Sequence, residues 1–455
     1  MKLIINKNEL LHAGTCIRER RLILGALEAS LSAADPKLSV KKNVKLKGRT
    51  LHIMGIKYCL NKFDSIHVIG GGKASGHMAE ALFGILQDRI TDGLVIIPEN
   101  LRTRLRSGKI KLWKASHPVP NQMGVRGVKR MLECVSSLTE RDLVICLISG
   151  GGSALMPLPY DDLTLRNKQQ VTSDLLRSGA KIYEINAVRK HLSSVKGGRL
   201  AEKLQGAYTV SLIISDVIGN RLDTIASGPT VPDRTTFNDA THVLKKYGLW
   251  NSLSIKVKRV IEKGLSGTMP ETPKSGSRIF RNVRNFVIAD NEQACKAALN
   301  QLISKEIHAK LLTTSLQGEA RDVGRYVASM AERINSTKHK PVALIMGGET
   351  TVTLAGKGKG GRNQELVLAA SIGISGLRNT ALASLGTDGI DGISDAAGAI
   401  ADTFTIKRAE PLNLNPQKFL QNNDSYSFFK RLGDAIQTGP TGTNVADVLI
   451  LLRMK

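Results

Sequence analysis

Met346-Gly347-Gly348-Glu349-Thr350-Thr351, Gly356-Lys357-Gly358-Lys359-Gly360-Gly361-Arg362-Asn363-Gln364-Glu365 and Gly386-Thr387-Asp388-Gly389-Ile390-Asp391-Gly392 are three glycine-rich pieces of one stretch, Gly347 to Asp402. An apolar run, Pro341 to Met346, leads into the first piece and reads as a buried strand. Val352 to Ala355 reads as a second strand. Asn363 is placed as the N-cap of a helix continuing through Ala370. Such a helix would turn its unpaired N–H groups and positive dipole end toward whatever the glycine loop holds. With two lysines and an arginine in the loop, that ligand should be an anion. The acidic Asp388 loop, at the end of the apolar run Ala381 to Leu385, turns the reading from a basic surface loop into a site.

The same pattern occurs twice upstream. Ser65 to Ile69 is a short strand that runs into Gly70-Gly71-Gly72-Lys73-Ala74-Ser75-Gly76 and then a helical run, His77 to Gln87. Strand, glycine loop and helix N-terminus make an anion site, with Lys73 at its mouth. The loop is neither GxxxxGK[ST] nor GxGxxG. Asp142 to Ile148 is an apolar strand followed by Ser149-Gly150-Gly151-Gly152-Ser153-Ala154. Parallel sheets bind ligands at such strand ends. A nucleophile elbow would need GxSxG, and Leu155 stands where its last glycine belongs. Helical spacing puts Asn186, Arg189 and Lys190 on one face, with Lys190 read as solvated and His191 as a structural hydrogen-bonding histidine. The strand Tyr208 to Ile214 ends in Ser215-Asp216, which places Asp216 where a metal-binding or base carboxylate belongs.

Further signals set the organisation. Glu9 to Ala33 reads as one helix. Between Val231 and Phe280 the chain becomes polar and rich in breakers, which marks a domain connection. Strands and helices then alternate again, through Asn285–Ala289, Gln293–Ile303, Ala309–Leu312 and Glu319–Ile334, to a last strand at Val445–Leu452. Alternation implies an α/β fold of two domains with mainly parallel, helix-covered sheets. The expected domains are residues 1–250 and 251–455.

At 455 residues with 42% hydrophobic content, the chain can bury ample core. No apolar run approaches the length of a membrane span, and no signal-peptide core follows Met1, so the expectation is a cytoplasmic protein without membrane partners. Five scattered cysteines without a CxxC argue against a disulfide framework or zinc site. Lys plus Arg exceed Asp plus Glu by 65 to 39, a net charge of +26. Nucleic acid is one partner for such a chain, but aromatics at 4% leave few stacking platforms. In Leu101 to Arg106 the basic residues alternate, as on the outer face of an edge strand. A diffuse positive field also attracts small polyanions such as nucleotides.

Taken in order, Gly70–Ser75, Ser149–Ser153, Asn186–His191, Ser215–Val217, Ser227–Thr230, Gly347–Glu349, Gly361–Glu365 and Gly386–Gly389 resemble the type II glycerate kinases across nearly the whole chain. That family pairs an N-terminal kinase-associated domain with a C-terminal MOFRL domain, here about residues 341–455. The resemblance implies ATP- and Mg2+-dependent phosphorylation of D-glycerate, to 2-phosphoglycerate, in a cleft between the domains. It carries over Lys73 and Arg362 as active-site residues. Phosphoryl transfer depends on positioning and charge stabilisation, which glycine loops, cations and strand-end carboxylates supply. Lys73 and Arg362 are assigned to the transferring phosphoryl group. Gly71, Gly72, Gly150, Gly151, Gly152, Ser149, Ser153, Asn186, Arg189, Gly348 and Glu349 are assigned to binding, with nucleotide phosphates or the glycerate carboxylate left open. One of Asp216 and Asp388 is taken for the metal and the other for the substrate hydroxyl; Asp391 and Asp395 are taken as turn and capping residues. Two readings stay beside this one: a hydroxypyruvate reductase-type oxidoreductase, and a basic nucleic-acid-binding protein. A homodimer is left open.

Overall fold

The computed structural model describes residues 3–204, 206–334 and 341–454. The chain divides into two compact units, one of Met1–Asp35 with Ala289–Lys455, the other of Pro36–Ile288.

The second of these units opens with an antiparallel meander, β1 (Val44–Lys47), β2 (Thr50–Ile53) and β3 (Ile56–Cys59). The β2–β3 turn, Met54-Gly55, has positive φ at both residues, the geometry that matches strand twist in a two-residue hairpin. Its main sheet runs β6-β5-β4-β7-β8-β9, made of β4 (Ser65–Gly71), β5 (Asp92–Pro98), β6 (Ile110–Ala115), β7 (Asp142–Ser149), β8 (Tyr208–Ile214) and β9 (Val283–Ala289). The pairs from β6 to β8 are all parallel. Every residue of β7 is buried, as expected of a central strand covered on both faces. The helix Gln122–Glu133 shows how one cover forms. Asn121 caps it by accepting from Gly124 N at 3.1 Å, and Val125, Val128 and Met131 face inward. Each such side chain contributes roughly 1.5–3 kcal/mol by burial.

The other sheet runs β10-β11-β15-β12-β13-β14: β10 (His308–Leu316), β11 (Val342–Gly348), β12 (Thr380–Gly386), β13 (Gly398–Asp402), β14 (Ala435–Ile436) and β15 (Asp447–Arg453). The expectation of a mainly parallel sheet does not hold here. Only β10 and β11 pair in parallel; β15 lies antiparallel between β11 and β12, and β13 and β14 extend the sheet antiparallel. Helical crossovers Ala320–Ile334 and Arg362–Gly373 keep β10, β11 and β12 codirectional, whereas β13 follows β12 through a loop without a helix.

The division also differs from a boundary at residue 250. The first 35 residues join the later unit because Arg20, fully buried, bonds Asp402 Oδ2 at 2.6 Å, Asp434 Oδ1 at 2.7 Å and Leu10 O at 2.9 Å. The helix expected over Glu9–Ala33 is two, Lys7–Ala13 and Ile17–Ala34. At Gly14 between them a Cβ would fall 1.8 Å from Arg20 Nε. Val352–Ala355 and Leu101–Arg106, expected as strands, form no strand among the described residues.

Candidate active site

In the unit Pro36–Ile288, the glycine loops at the carboxyl ends of β4 and β7 are bonded to each other. Lys73 N donates to Gly150 O at 2.9 Å and Ala74 N to Ser149 Oγ at 3.0 Å. Gly72 N donates to Ile96 O at 3.2 Å. The expectation that this loop offers backbone donors to a ligand therefore fails at Gly72, Lys73 and Ala74. Its capacity for an anion lies in the Lys73 side chain. Ser149, 1% exposed, ties the loops together.

The second loop is shaped by what crowds it. At Gly150 a Cβ would fall 1.9 Å from Asp216 Oδ2, so the Asp216 carboxylate lies directly on that backbone. Gly151 has φ +80°, a conformation few side chains tolerate, and a Cβ there would meet the rings and stems of His117 and Lys73 at 3.0 Å. Lys73 and His117 thus converge over Gly151. Burial, and then the Lys73 charge, push the His117 pKa down to about 4. Ser153 Oγ lies 2.7 Å from Ser227 Oγ, which donates to Asn186 Oδ1 at 3.3 Å.

A pocket of about 470 Å³ opens beside Gly151 and Ser153. Pro118, Val119, Leu165 and Leu176 give it an apolar wall, and His117, Lys168, Arg189 and Lys196 a basic one, with no carboxylate in the lining. Lys196 Nζ donates to Ser153 O at 2.9 Å, Lys168 Nζ to Pro157 O at 2.9 Å, and Arg189 Nε to Thr172 Oγ1 at 3.5 Å. Burial, with Arg189 adding repulsion, lowers the Lys196 pKa to about 7. Burial, followed by its cationic neighbours Lys196, Arg189 and Arg199, drives Lys168 well below the ordinary lysine value. Buried cations held only by neutral acceptors are a standing demand for an anion. Lys190, read from the sequence as solvated, is 3% exposed and donates to Asp233 Oδ1 at 3.1 Å. His191 is the structural histidine expected, between Ala187 O at 2.7 Å and Glu271 Oε2 at 3.1 Å.

In the other unit, β11 and β12 end where β15 begins, with Gly348 and Gly386 each in register with Asp447. Arg362 Nε and Nη2 donate to Asp447 Oδ2 and Oδ1 at 2.6 and 3.0 Å, and Nη1 to Glu349 Oε1 at 2.6 Å. Burial raises the Asp447 pKa to about 6 against the pull of Arg362. A Cβ on Gly386 would lie 3.2 Å from Asp388 Oδ1 and 3.4 Å from Asp447 Oδ1, so both carboxylates face one spot. Gly348 packs on β10, where a Cβ would fall 2.2 Å from Leu316 O.

The helix after the loop begins at Arg362, not Asn363, and its first turn is not open to a ligand. Asp391, fully inside, accepts from Asn363 N at 3.0 Å and Gln364 N at 2.8 Å. Asp391 is thus the capping residue expected, and it satisfies the donors that the sequence reading assigned to an anion. Among the described residues, no three His, Cys, Asp or Glu side chains converge into a metal cluster. Sequence reasoning missed His117, Lys168, Lys196 and Asp447. Only the run Lys196-Gly197-Gly198-Arg199 was a signal, and it resembles any turn.

Residues 22–262 match the domain of unknown function DUF4147, and residues 342–447 match the MOFRL family. A D-glycerate 2-kinase of Thermotoga maritima is 41% identical over 434 residues, 95% of this chain and 97% of that one. A crystal structure of glycerate kinase from the same organism has a TM-score of 0.85, covering 95% of this chain and 99% of that one. A glycerate 2-kinase of Pyrococcus horikoshii is 40% identical, over 95% and 97% of the two chains. A relative from Agrobacterium vitis named for hydroxypyruvate reductase is 36% identical over 98% of each. No helix among the described residues is long and apolar enough to cross a membrane. With two segments matched in order and full-length relatives at this identity, the chain belongs to the glycerate kinase family that joins a DUF4147 segment to a MOFRL segment.

Proposed function

We propose that this protein phosphorylates D-glycerate at the expense of ATP, giving 2-phosphoglycerate. The observation that carries the reading is the pocket beside Gly151, whose buried Lys168 and Lys196 and half-buried Arg189 meet no carboxylate among the described residues. A triphosphate supplies the missing negative charge, and the wall of Pro118, Val119, Leu165 and Leu176 suits a nucleobase. We assign the pocket to the nucleotide. Lys73, over Gly151, supports the charge of the phosphoryl group. Neutral at pH 7, His117 can share a hydrogen bond without adding charge.

Mg2+ is held in nucleotide sites by one or two carboxylates together with the phosphates. Asp216, set against Gly150 at the end of β8, fits that donor set. When bound, the ion would neutralise phosphate charge. Arg362 is proposed to act on a phosphoryl or carboxylate group through Nη1, the end of its fork held only by the half-exposed Glu349. Half-buried, Asp388 is the candidate to orient a substrate hydroxyl.

The test is ADP release in a coupled assay with D-glycerate, ATP and Mg2+, with the product identified by NMR. Turnover should require all three. ATP hydrolysis at the same rate without glycerate would reject the reading. Nicotinamide oxidation with hydroxypyruvate would replace it by the reductase for which the Agrobacterium relative is named.

A further inference from the structure

A second basic pocket, of about 680 Å³, lies in the same unit at the opposite end of the sheet. Phe63 lies just before β4, Tyr208 opens β8, and Arg281 and Asn282 lead into β9. The glycine loops and Asp216 stand at the other ends of these strands. Seven residues of β8 separate Tyr208 from the site end, roughly 20 Å at about 3.3 Å per residue. This pocket is therefore not a continuation of the one beside Gly151.

Its chemistry is consistent around the wall. Lys57, Lys62, Arg281 and Arg284 line it, and no carboxylate does. Among the described residues the Arg284 guanidinium donates only to the carbonyls of Arg281 and Val283, at 3.2 and 3.0 Å. Phe63 and Tyr208 meet edge to face with centroids 5.4 Å apart, an aromatic surface in a chain poor in aromatics. A separate observation points to a ligand. Tyr58 lines the pocket and is 9% exposed, and its hydroxyl is buried without a hydrogen-bond partner. A buried hydroxyl left unpaired costs about 1–3 kcal/mol, so a partner that supplies an acceptor is favoured.

We propose that this pocket is a second ligand site, separate from the catalytic one, that takes a small polyanion of the nucleotide or inorganic polyphosphate class. The four cations meet its phosphate oxygens, the Tyr58 hydroxyl donates to one of them, and the Phe63–Tyr208 pair offers a face to a base. The net charge of +26 raises the local concentration of such ligands.

Cys59 gives a readout at the site itself, because it lines the pocket and is exposed, whereas Cys16, Cys146 and Cys295 are buried. The experiment measures the rate of maleimide labelling of Cys59, by peptide mass spectrometry, in the full chain with increasing inorganic tripolyphosphate or ATP. Tripolyphosphate should slow labelling, and ATP should do so at lower concentration because the aromatic pair adds to the charge. In Arg281→Glu/Arg284→Glu, both exposed positions, half-protection should require about tenfold more of either ligand or more. Kinase KM values and melting temperature should be unchanged. A Tyr58→Phe variant should weaken protection without altering the labelling rate of the free protein. Equal protection in wild type and the charge-reversed variant, or none in the wild type, overturns the proposal. Protection by tripolyphosphate but not by ATP would overturn the nucleotide part of it.

Discussion

Arg362 meets Asp447 side-on, with Nε and Nη2 each on its own carboxylate oxygen, and leaves Nη1 for Glu349. Asp447 is the more buried partner, its side chain 10% exposed against 46% for Glu349. The fixed half of the fork is thus anchored and the other half can exchange its partner for substrate. Lysine cannot reproduce that geometry. Arg362→Lys should lower kcat about a hundredfold or more while changing KM for ATP far less. Arg362→Met should also leave Asp447 buried without a counterion and cost about 3 kcal/mol of stability. Steady-state kinetics and thermal melts of the two variants separate the roles; a normal kcat in Arg362→Lys would end the assignment.

Lys196 supplies a pH dependence. Its pKa in the folded protein, about 7, is below the ordinary 10.5, so it loses its charge as pH rises through neutrality. ATP affinity should weaken over that range, and kcat/KM for ATP should fall above about pH 7. Lys196→Met should have low kcat/KM and no inflection there. The sign for stability is the reverse: the cost of burying the cation is fully present below pH 7 and is relieved between 7 and 10.5.

Asp447 is a carboxylate with a raised pKa, about 6 instead of 3.8. The folded protein therefore binds this proton before the unfolded chain does. Its destabilising contribution is fully present above pH 6 and is relieved as pH falls from 6 toward 4. A shift of two units amounts to about 3 kcal/mol. Wild-type stability should gain on Asp447→Asn by up to that amount between pH 7 and pH 4. Urea titrations at both pH values measure it, and a constant difference would refute the shift.

Lys190 and Asp233 form a buried pair at 3.1 Å, with Asp233 also accepting from Thr235 and Thr272. Lys190→Met should destabilise by about 3–5 kcal/mol, because Asp233 would keep its charge without a partner. Adding Asp233→Asn should recover part of that loss. Two independent, additive losses in the melts would mean that the pair is not coupled.

The alternation of strands and glycine loops was legible because β4, β7, β8 and β11 are apolar runs ending in small residues, a local signal. Lys73, Asp216 and Arg362 could be picked out as charges at those ends. Asp391 was correctly read as a cap, but the helix it caps could not be foreseen as closed, since it begins 29 residues earlier, at Arg362. Lys190 illustrates the other limit. Helical spacing placed it on a face, and only the tertiary partner, Asp233, decides that the face is inside. Asp447 was invisible for the same reason: it begins a strand like any other until the sheet sets it between Gly348 and Gly386. The antiparallel insertion of β15 has no periodicity of its own.

The buried bonds of Arg20 to Asp402 and Asp434 join residues 382 and 414 positions apart. On a ribosome, which adds residues in order, this matters. The unit Pro36–Ile288 is contiguous, so its sheet can assemble while synthesis continues. The helices Lys7–Ala13 and Ile17–Ala34 emerge first, but the rest of their unit is made only after residue 288: first the helix Asn291–Ile303, where Ser30 Oγ donates to Ala294 O at 2.9 Å, and later the strands β12 to β15. Their apolar faces, Leu10, Ile23, Leu24, Leu27 and Leu31, stay exposed throughout that interval. They form a nascent-chain segment on which chaperones would act, and where a translational pause before residue 291 would be most harmful.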